Sequence, residues 1–584
     1  MSADGTAGWV EAPADDWADA MVASLSAGGI DHLFFTSGSE IGFYQEAIAK
    51  AKAKGHNNPI RLITVPLEHV SLNAALGYAA VSGRPAATAA HVDCGTQHYG
   101  GAIHTAWRSG LPVVITSGYP PTAYAGTMHG ARDEGGHIWM QEGYDQNGIM
   151  RSYTKWNHRL VWQDNPGLVM SRAIQVARTE PAGPVYVNVA KELVVLPLRE
   201  PRFPSADQLG IPRPTALDPE VAHEIAEKLV KAKNPFVVVG WSGRNPATVP
   251  ALVELCEMLG IGVVDAVQRG YLCFPMRHPL CQMGPALTGA DAVLVLEAEV
   301  PWVPTRNAPP PDAYVAAIAQ DPIKMRVPQY EFTANVRAAA DPLLAIRAIA
   351  AAAKGMLKAD DKARIAARTK ALAEGSKKWI AAAEKEATDH AKDVPMHPMW
   401  VSYQLGKLID DNCIVIDETL RTPRVREFMP CARPGSYFSN PGSSGGWSPG
   451  AALGAKIAAP DRDVIAVTGD GFYMFGTPAP AIWAAKHHNA PFMAVVYTNR
   501  SYSTGTTRVG EMYQGGYAAK SGFVGGYFDP PIDFAKEAEA AGAYGETVRD
   551  PADVLPALKR GLEQIRSGKP AVISMWLQRL VDGK

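Results

Sequence analysis

The chain has few cysteines, and no two of them are closely spaced. Six cysteines are spread over 584 residues, at positions 94, 256, 273, 281, 413 and 431, and this spacing argues against a zinc site or a disulfide framework. No uninterrupted apolar run approaches the length of a membrane span, and the acidic N-terminal stretch lacks the apolar core of a signal peptide. These absences favour a soluble protein of a reducing cytoplasm.

An excess of charge of one sign is also missing. Because 56 basic residues stand against 58 acidic ones, composition gives no reason to expect a nucleic acid or another polyanion as partner. The length predicts several domains, with three as the natural number. A proline-rich stretch at 196–218 and a helical, Ala-, Lys- and Glu-rich stretch at 355–395 separate three blocks in which strands and helices alternate. The predicted domains are 1–195, 216–350 and 396–584, each an α/β doubly wound parallel sheet.

Two predicted strands between residues 464 and 499 are each followed by a side chain that carries oxygen. The first runs into Gly469, Asp470 and Gly471, and the second into Thr498 and Asn499. Since the carboxyl ends of parallel strands meet at one edge of a sheet, Asp470 and Asn499 are expected to lie close together there. A hard divalent ion such as Mg²⁺ takes one or two such protein ligands together with phosphate oxygens.

Gly-Asp-Gly followed about thirty residues later by Asn resembles the thiamine diphosphate motif. The chain therefore resembles the thiamine-diphosphate-dependent enzymes, in particular the acetolactate-synthase-like group and the related 2-hydroxyacyl-CoA lyases and oxalyl-CoA decarboxylases. The resemblance implies a pyrimidine-binding domain, a central Rossmann-like domain and a diphosphate-binding domain. It implies thiamine diphosphate and Mg²⁺ as cofactors, with Asp470, Asn499 and the carbonyl of Ser501 as metal ligands. Thr498 stands where the family usually has the first of two asparagines.

Glu68 follows a predicted strand and begins a predicted helix that contains Gly77 and Tyr78. One interpretation is a carboxylate that stabilises the helix N-terminus. The resemblance implies instead the family's activating glutamate, which binds N1′ of the pyrimidine and drives acid–base chemistry through the cofactor.

Two further catalytic candidates lie in the first block. His98 follows the segment around Gly95, where the family has a glycine-rich turn that lines the pyrimidine and the substrate. Met140, Gln141 and Glu142 resemble a Phe-Gln-Glu segment of the acetolactate synthases. The predicted catalytic residues are therefore Glu68, His98 and Gln141.

The loop before a helix in the last block departs from the family pattern. Relatives carry a bulky apolar residue there that holds the cofactor in a bent shape, whereas this chain has Gly445. Either Trp447 or Met474 replaces that side chain, or space is left for a bulkier donor. Residues 501–527 are interpreted either as a lid over the pocket or as an ordinary surface loop. The predicted cofactor-binding residues are Glu68, Gly95, Glu418, Thr419, Gly445, Trp447, Gly469, Asp470, Gly471, Phe472, Asn499, Ser501 and Tyr502.

The resemblance implies a carboligase or carbon–carbon lyase that acts on a 2-oxo acid or 2-hydroxy carbonyl donor through a C2 ylide and an enamine or carbanion. It also implies a homodimer or homotetramer with the active site at the subunit interface. The first alternative is a 2-hydroxyacyl-CoA lyase that yields formyl-CoA and an aldehyde or ketone. In that case the central domain would bind the nucleotide of coenzyme A, or FAD, although its loop 240–244 lacks the full dinucleotide fingerprint. The second alternative is a non-catalytic cofactor-binding regulatory subunit, which the presence of Glu68, Asp470 and Asn499 disfavours.

Overall fold

A computed structural model describes residues 8–11, 15–56, 60–265, 270–283, 286–420 and 423–579. Half of the N-terminal stretch 1–20, on which the expected absence of a signal peptide rests, lies outside these residues. Within the described ranges, no helix combines the length and the apolar character that a membrane span requires.

The N-terminal part contains a six-stranded parallel sheet with the strand order β3-β2-β4-β5-β7-β6. Its strands follow short apolar runs, and β4, β5 and β7 are buried along their whole length, as expected for a sheet with helices on both faces. The strands of this part are β1 (Val10–Glu11), β2 (His32–Phe35), β3 (Arg61–Thr64), β4 (Ala86–Ala90), β5 (Val113–Tyr119), β6 (Trp156–Arg159), β7 (Val185–Ala190) and β8 (Arg202–Phe203). Its helices are α1 (Trp17–Ala27), α2 (Phe43–Ala53), α3 (Glu68–Ser82), α4 (Asp93–His98), α5 (Gly101–Ser109), α6 (His137–Met140), α7 (Gln146–Arg151), α8 (Pro166–Arg178) and α9 (Ala206–Leu209).

Two segments differ from their predicted character. Residues 93–98, expected as a glycine-rich turn, form the short helix α4. The proline-rich stretch at 196–218 contains the strand β8, which pairs antiparallel with β1, and the one-turn helix α9. Ser205 caps α9 through its hydroxyl, and Gln208 completes a capping box, a local signal that proline content concealed.

The middle part forms a second six-stranded parallel sheet, with the order β12-β10-β9-β13-β14-β15. Its four central strands lie within a residue, at each end, of the apolar runs at 236–240, 262–265, 292–296 and 314–318, which the sequence predicts as strands. The strands are β9 (Pro235–Val239), β10 (Gly262–Asp265), β11 (Gly270–Tyr271), β12 (Cys281–Gln282), β13 (Ala292–Leu296), β14 (Tyr314–Ala319) and β15 (Val336–Ala339), of which β11 leaves this sheet and joins the next. The helices are α10 (Pro219–Lys231), α11 (Thr248–Leu259), α12 (Pro342–Met356) and the long, mostly solvated α13 (Ala359–Asp389).

The C-terminal part forms a seven-stranded sheet with the order β11-β17-β16-β18-β19-β21-β20, parallel except for β11 at its edge. Its strands are β16 (Cys413–Glu418), β17 (Tyr437–Ser439), β18 (Asp463–Gly469), β19 (Met493–Thr498), β20 (Tyr544–Val548) and β21 (Ala571–Trp576). Its helices are α14 (Pro398–Gly406), α15 (Ser448–Ala458), α16 (Asp470–Phe475), α17 (Pro478–His487), α18 (Ser503–Met512), α19 (Tyr517–Lys520), α20 (Phe534–Ala540) and α21 (Val554–Arg566).

The first and last sheets are joined through the helices α3 and α15. Small residues on both helices let the two backbones touch, because a side-chain carbon on Gly77 would overlap Ala451 and one on Gly454 would overlap Ala74. One continuous apolar cluster runs from the N-terminal sheet through these helices into β16, β18 and β19. The two sheets whose carboxyl edges carry the predicted site residues therefore share one apolar core.

Candidate functional site

The strands β18 and β19 are parallel neighbours, with Gly469 opposite Tyr497, so the residues that follow them emerge at one edge. Asp470 opens α16, and its carboxylate accepts hydrogen bonds from the backbone N–H of Gly471 at 2.9 Å and of Arg500 at 2.5 Å. The amide oxygen of Asn499 accepts from both the N–H and the hydroxyl of Ser501 at 2.9 Å. The structure therefore brings Asp470, Asn499 and Ser501 to the same edge of the C-terminal sheet.

The carboxyl group of Asp470 is buried, and this burial raises its pKa to about 7 despite the two hydrogen bonds from backbone N–H groups. A buried carboxylate is costly without a compensating cation. A divalent ion that binds Asp470 would supply this compensation, so the residues at this edge fit the metal that the resemblance implies.

Glu68 begins α3, where it is 5% exposed, and burial raises the pKa of its carboxyl group. Gly95 lies against it, because a side-chain carbon there would stand 2.8 Å from Oε1 of Glu68. His98 places Nδ1 3.5 Å from Oε2, although its own side chain is 65% exposed. The structure thus brings together Glu68, Gly95 and His98, with glycine at a position where a side chain would displace the carboxylate.

A second buried acid lies close by, and the sequence reasoning missed it. Oε2 of Glu40 is 2.6 Å from Nδ1 of His91, and the other ring nitrogen of His91 is 3.2 Å from the amide nitrogen of Gln141. Burial opposes ionisation of Glu40, but His91 and the hydrogen bond from the Ser39 hydroxyl together outweigh it, so the pKa of the carboxyl group is lowered. Gly95 lies between Glu68 and His91, because a side-chain carbon on Gly95 would also stand 3.0 Å from Cβ of His91. The signal that could have found Glu40 is its place directly after the small-residue loop that follows β2.

Glu418 organises the loop ahead of α15. Its carboxylate accepts from the N–H of Trp447 and of Ser448, each at 2.8 Å, and from the side-chain amide of Asn440 at 2.7 Å. Glu418 therefore accepts hydrogen bonds from the backbone N–H groups at the start of α15. The neighbouring Thr419 donates its hydroxyl to the carboxylate of Asp417 at 2.7 Å. Trp447 is 4% exposed and belongs to the apolar core.

The same loop rests on the N-terminal part of the same chain. The carbonyl of Gly446 is 3.1 Å from Nε2 of His69 and 3.3 Å from the side-chain amide of Asn73, both on α3. The carbonyl of Gly442 is 2.9 Å from Nε2 of His104 on α5. Within one chain, therefore, His69, which follows Glu68, contacts the loop that contains Gly445.

A cavity of about 520 Å³ opens beside this loop, between the middle and C-terminal parts. Glu418, Thr419, Asn440 and Phe472 line one side, and the other side carries Trp302 and Arg306 among others. Phe472, one of these lining residues, follows Asp470 by two positions. Beyond the cavity, an aromatic row continues through Phe475, Tyr502 and Phe528, with neighbouring ring centroids 4.5–6.5 Å apart.

A smaller cavity of about 100 Å³ lies between the N-terminal and middle parts, beside the loop 240–244 to which the coenzyme A lyase alternative would assign a nucleotide. Arg244, from the predicted nucleotide loop, makes a forked ion pair with Glu180 of the N-terminal part. The buried Glu297 faces the same guanidinium at 3.8 Å. Here the structure has an ion-pair network between the N-terminal and middle parts, and a nucleotide remains only a feature of the alternative function.

The segment after Asn499 contains α18 and α19 and carries several exposed apolar side chains. Tyr513 is 63% exposed and Tyr517 is 90% exposed. Tyr502 anchors the start of the segment, because it packs on Phe528 and its N–H bonds to the carbonyl of Gly526.

Models of two domain families match this chain. Residues 15–149 match the thiamine pyrophosphate enzyme N-terminal TPP binding domain, and residues 422–575 match the C-terminal TPP binding domain. These matches cover the parts that carry Glu68 and Asp470.

Known proteins of several activities are similar over most of the chain. A benzoylformate decarboxylase of Pseudomonas aeruginosa is 27% identical over 446 residues, which is 73% of this chain and 76% of that protein. A sulfoacetaldehyde acetyltransferase of Alcaligenes xylosoxydans xylosoxydans is 25% identical, with 96% and 93% covered. A probable acetolactate synthase large subunit of Methanococcus aeolicus is 23% identical, with 93% and 90% covered.

Among solved structures, the thiamine diphosphate-dependent 4-hydroxybenzoylformate decarboxylase of Rhodococcus jostii RHA1 has a similar fold. Its TM-score is 0.74 at 22% identity, with 96% of this chain and 99% of that chain covered. The three-sheet α/β architecture predicted from the sequence is confirmed by this likeness.

Proposed function

This chain belongs to the thiamine-diphosphate-dependent enzymes, and we propose that within them it acts as a carboligase or carbon–carbon lyase on a 2-oxo acid or 2-hydroxy carbonyl donor. The observation that carries the proposal is the pair of buried carboxylates, Glu68 at the start of α3 and Asp470 at the start of α16. The loop after β17 joins the two regions, through contacts with α3 on one side and Glu418 on the other.

In this proposal Asp470, Asn499 and the carbonyl of Ser501 would hold Mg²⁺ and, through it, the diphosphate of the cofactor. Glu68 would hold the pyrimidine ring at N1′. When bound, thiamine diphosphate supplies a carbon nucleophile and an electron sink.

The chain's own residues would transfer protons and orient the groups that take part in the reaction. Burial raises the pKa of the Glu68 carboxyl group and favours its protonated form, which suits a group that would exchange a proton with N1′. Oε2 of Glu40 lies 2.6 Å from Nδ1 of His91 and orients the ring so that Nε2 lies toward Gln141. The position of the ring, next to Gly95 and close to Glu68, makes His91 a further candidate for proton transfer to the substrate.

The donor can be identified by a single-turnover experiment. The protein, loaded with thiamine diphosphate and Mg²⁺, is incubated in parallel with pyruvate, benzoylformate, a 2-hydroxyacyl-CoA and an acyloin. After an acid quench, products are identified by chromatography and covalent modification of the cofactor by NMR. Reaction with an oxo acid supports the proposal. Reaction with the thioester alone would establish the coenzyme A lyase alternative, and bound cofactor with no reaction would favour the regulatory subunit.

We also propose a homodimer or homotetramer as the working assembly. The support is the set of exposed apolar side chains between β5 and α7, namely Tyr124, Trp139, Met140 and Tyr144. Analytical ultracentrifugation tests the assembly, and a sedimenting monomer at working concentration would refute it.

Mixing two inactive variants tests whether one chain or two supply each site. Glu68→Gln and Asp470→Ala chains are co-expressed with different tags, and the mixed assemblies are purified. If the halves come from different subunits, a mixed dimer contains one intact site, and such dimers should recover up to about half of the wild-type activity. If a single chain builds the site, as the contact between His69 and Gly446 within one chain would allow, no activity returns.

A further inference from the structure

The ring of Phe472 occupies the place that a side chain on Gly445 would need. A carbon attached to Gly445 would stand 2.5 Å from Cδ1 and 2.9 Å from Cε1 of this ring, and 2.9 Å from Cδ2 of Phe475. The φ angle of Gly445 is not among the positive ones, so the backbone itself would accept another residue. What excludes a side chain at position 445 is therefore the pair of neighbouring aromatic rings, of which Phe472 is the nearer.

The other two residues considered for this place are used elsewhere. Trp447 is buried in the core that joins α15 to α3, and its N–H bonds to Glu418. Met474 packs against the same core from the side of α16. Phe472 differs from both, because it is only partly buried and lines the cavity of about 520 Å³ together with Glu418, Thr419 and Asn440.

We infer that Phe472 supplies, from α16, the apolar support for the bound cofactor that the loop lacks at Gly445. This inference rests on the proposed function, since it places thiamine diphosphate at the edge formed by Asp470 and Asn499. The ring of Phe472 and the carboxylate of Asp470 lie two residues apart at the start of the short helix α16. The helix therefore fixes the position of the apolar ring relative to the carboxylate that would bind the metal. A bulky residue at position 445 and a bulky residue at position 472 exclude each other.

The experiment is a swap of the two side chains, read out by cofactor binding. Phe472→Ala, Gly445→Leu and the double variant Gly445→Leu/Phe472→Ala are prepared as full-length apo-protein. Affinity for thiamine diphosphate with MgCl₂ is measured by isothermal titration calorimetry, and the near-UV circular dichroism of the bound cofactor reports its geometry. Phe475→Ala is the matched control, a phenylalanine of the same helix that also faces Gly445 but does not line the cavity.

We expect each single variant to bind the cofactor about tenfold or more weakly, for lack of apolar contact in one and for a clash in the other. The double variant should return to within about threefold of wild type and regain its circular dichroism signal, because leucine then fills the space that the ring left. The Phe475→Ala control should bind within about threefold of wild type.

Two results would overturn the inference: unchanged affinity and dichroism in Phe472→Ala, or a Gly445→Leu defect that persists after Phe472 is removed. Thermal unfolding of the apo-proteins guards against loss of fold, and Phe472 is exposed enough for Phe472→Ala to unfold near the wild-type temperature. If wild-type protein itself fails to bind thiamine diphosphate with Mg²⁺, the proposed function fails rather than the role of Phe472.

Discussion

A side-chain carbon on Gly454 would overlap the carbonyl oxygen of Ala74, so α15 and α3 lie backbone against backbone where the N-terminal and C-terminal parts meet. Such an approach excludes every residue but glycine at this position. It also sets the distance between the start of α3, which carries Glu68, and the start of α15, which Glu418 caps.

Substitution of Gly454 by valine should therefore separate the two helices. We expect a lower free energy of unfolding, by about 1–3 kcal/mol or more as for other overpacked cores, together with weaker binding of thiamine diphosphate. Calorimetric unfolding and cofactor titration measure the two effects. Gly505→Ala is the control, since it also lies in a helix but has open space around it, and it should stabilise the protein slightly if at all. Equal behaviour of the two variants would contradict the close packing.

Glu68→Gln should retain cofactor binding but slow the exchange of the C2 proton of the bound cofactor by orders of magnitude. The reason is that an amide cannot exchange a proton with N1′ as a carboxyl group does. Exchange into deuterated buffer is followed by NMR after an acid quench. Glu220→Gln, which alters an exposed acid in the first turn of α10, tests the helix-terminus interpretation of Glu68. If Glu68→Gln exchanges as fast as this control, the assignment of Glu68 is wrong.

Asp470→Ala should abolish the Mg²⁺-dependent retention of the cofactor on gel filtration. The apo-protein should nevertheless remain folded, because the substitution removes a carboxylate whose burial is unfavourable without a cation. Asp461→Ala changes an exposed acid just before the opposite end of the same strand and should retain the cofactor normally. Normal retention by Asp470→Ala would refute the metal site.

Stability should fall with rising pH because of Glu418. Burial raises the pKa of its carboxyl group from 4.5 to about 7 against the hydrogen bonds that it accepts. The folded protein thus keeps a proton that the unfolded chain releases, so this contribution to the free energy of unfolding is complete below pH 4.5 and is lost as the pH rises through about 7. The loss is on the order of 1.4 kcal/mol for each pH unit that separates the pKa of the folded protein from that of the unfolded chain.

Glu418→Gln cannot titrate and should remove this part of the dependence of the free energy of unfolding on pH. It should also lower that free energy by an amount independent of pH, because the N–H of Ser448 loses its acceptor. Urea denaturation of both proteins at pH 5, 6, 7 and 8 measures the difference. A wild-type slope that persists unchanged in the variant would exclude Glu418 as its source.

Much of the fold was predictable because parallel strands buried on both faces are continuous apolar runs. The runs that became β9, β10, β13, β18 and β19 stand out in the sequence and match the structure closely. Short strands escaped prediction: β12, at the edge of its sheet, has two residues and β17 has three, too few for a pattern. The helix α4 was expected as a turn because the family that the chain resembles has a glycine-rich turn there, whereas in the structure a close approach to Glu68 accounts for Gly95.

The sequence by itself determined which residues follow the strands at the carboxyl edge, and hence the neighbourhood of Asp470 and Asn499. That information is local, since an apolar run and the residues that end it are adjacent in the chain. Tertiary structure alone decided that Glu40 meets His91 and that Phe472 takes the place beside Gly445. Those pairs come from different elements, and their contact depends on strand order, helix packing and side-chain direction, none of which leaves a periodic signal in the sequence.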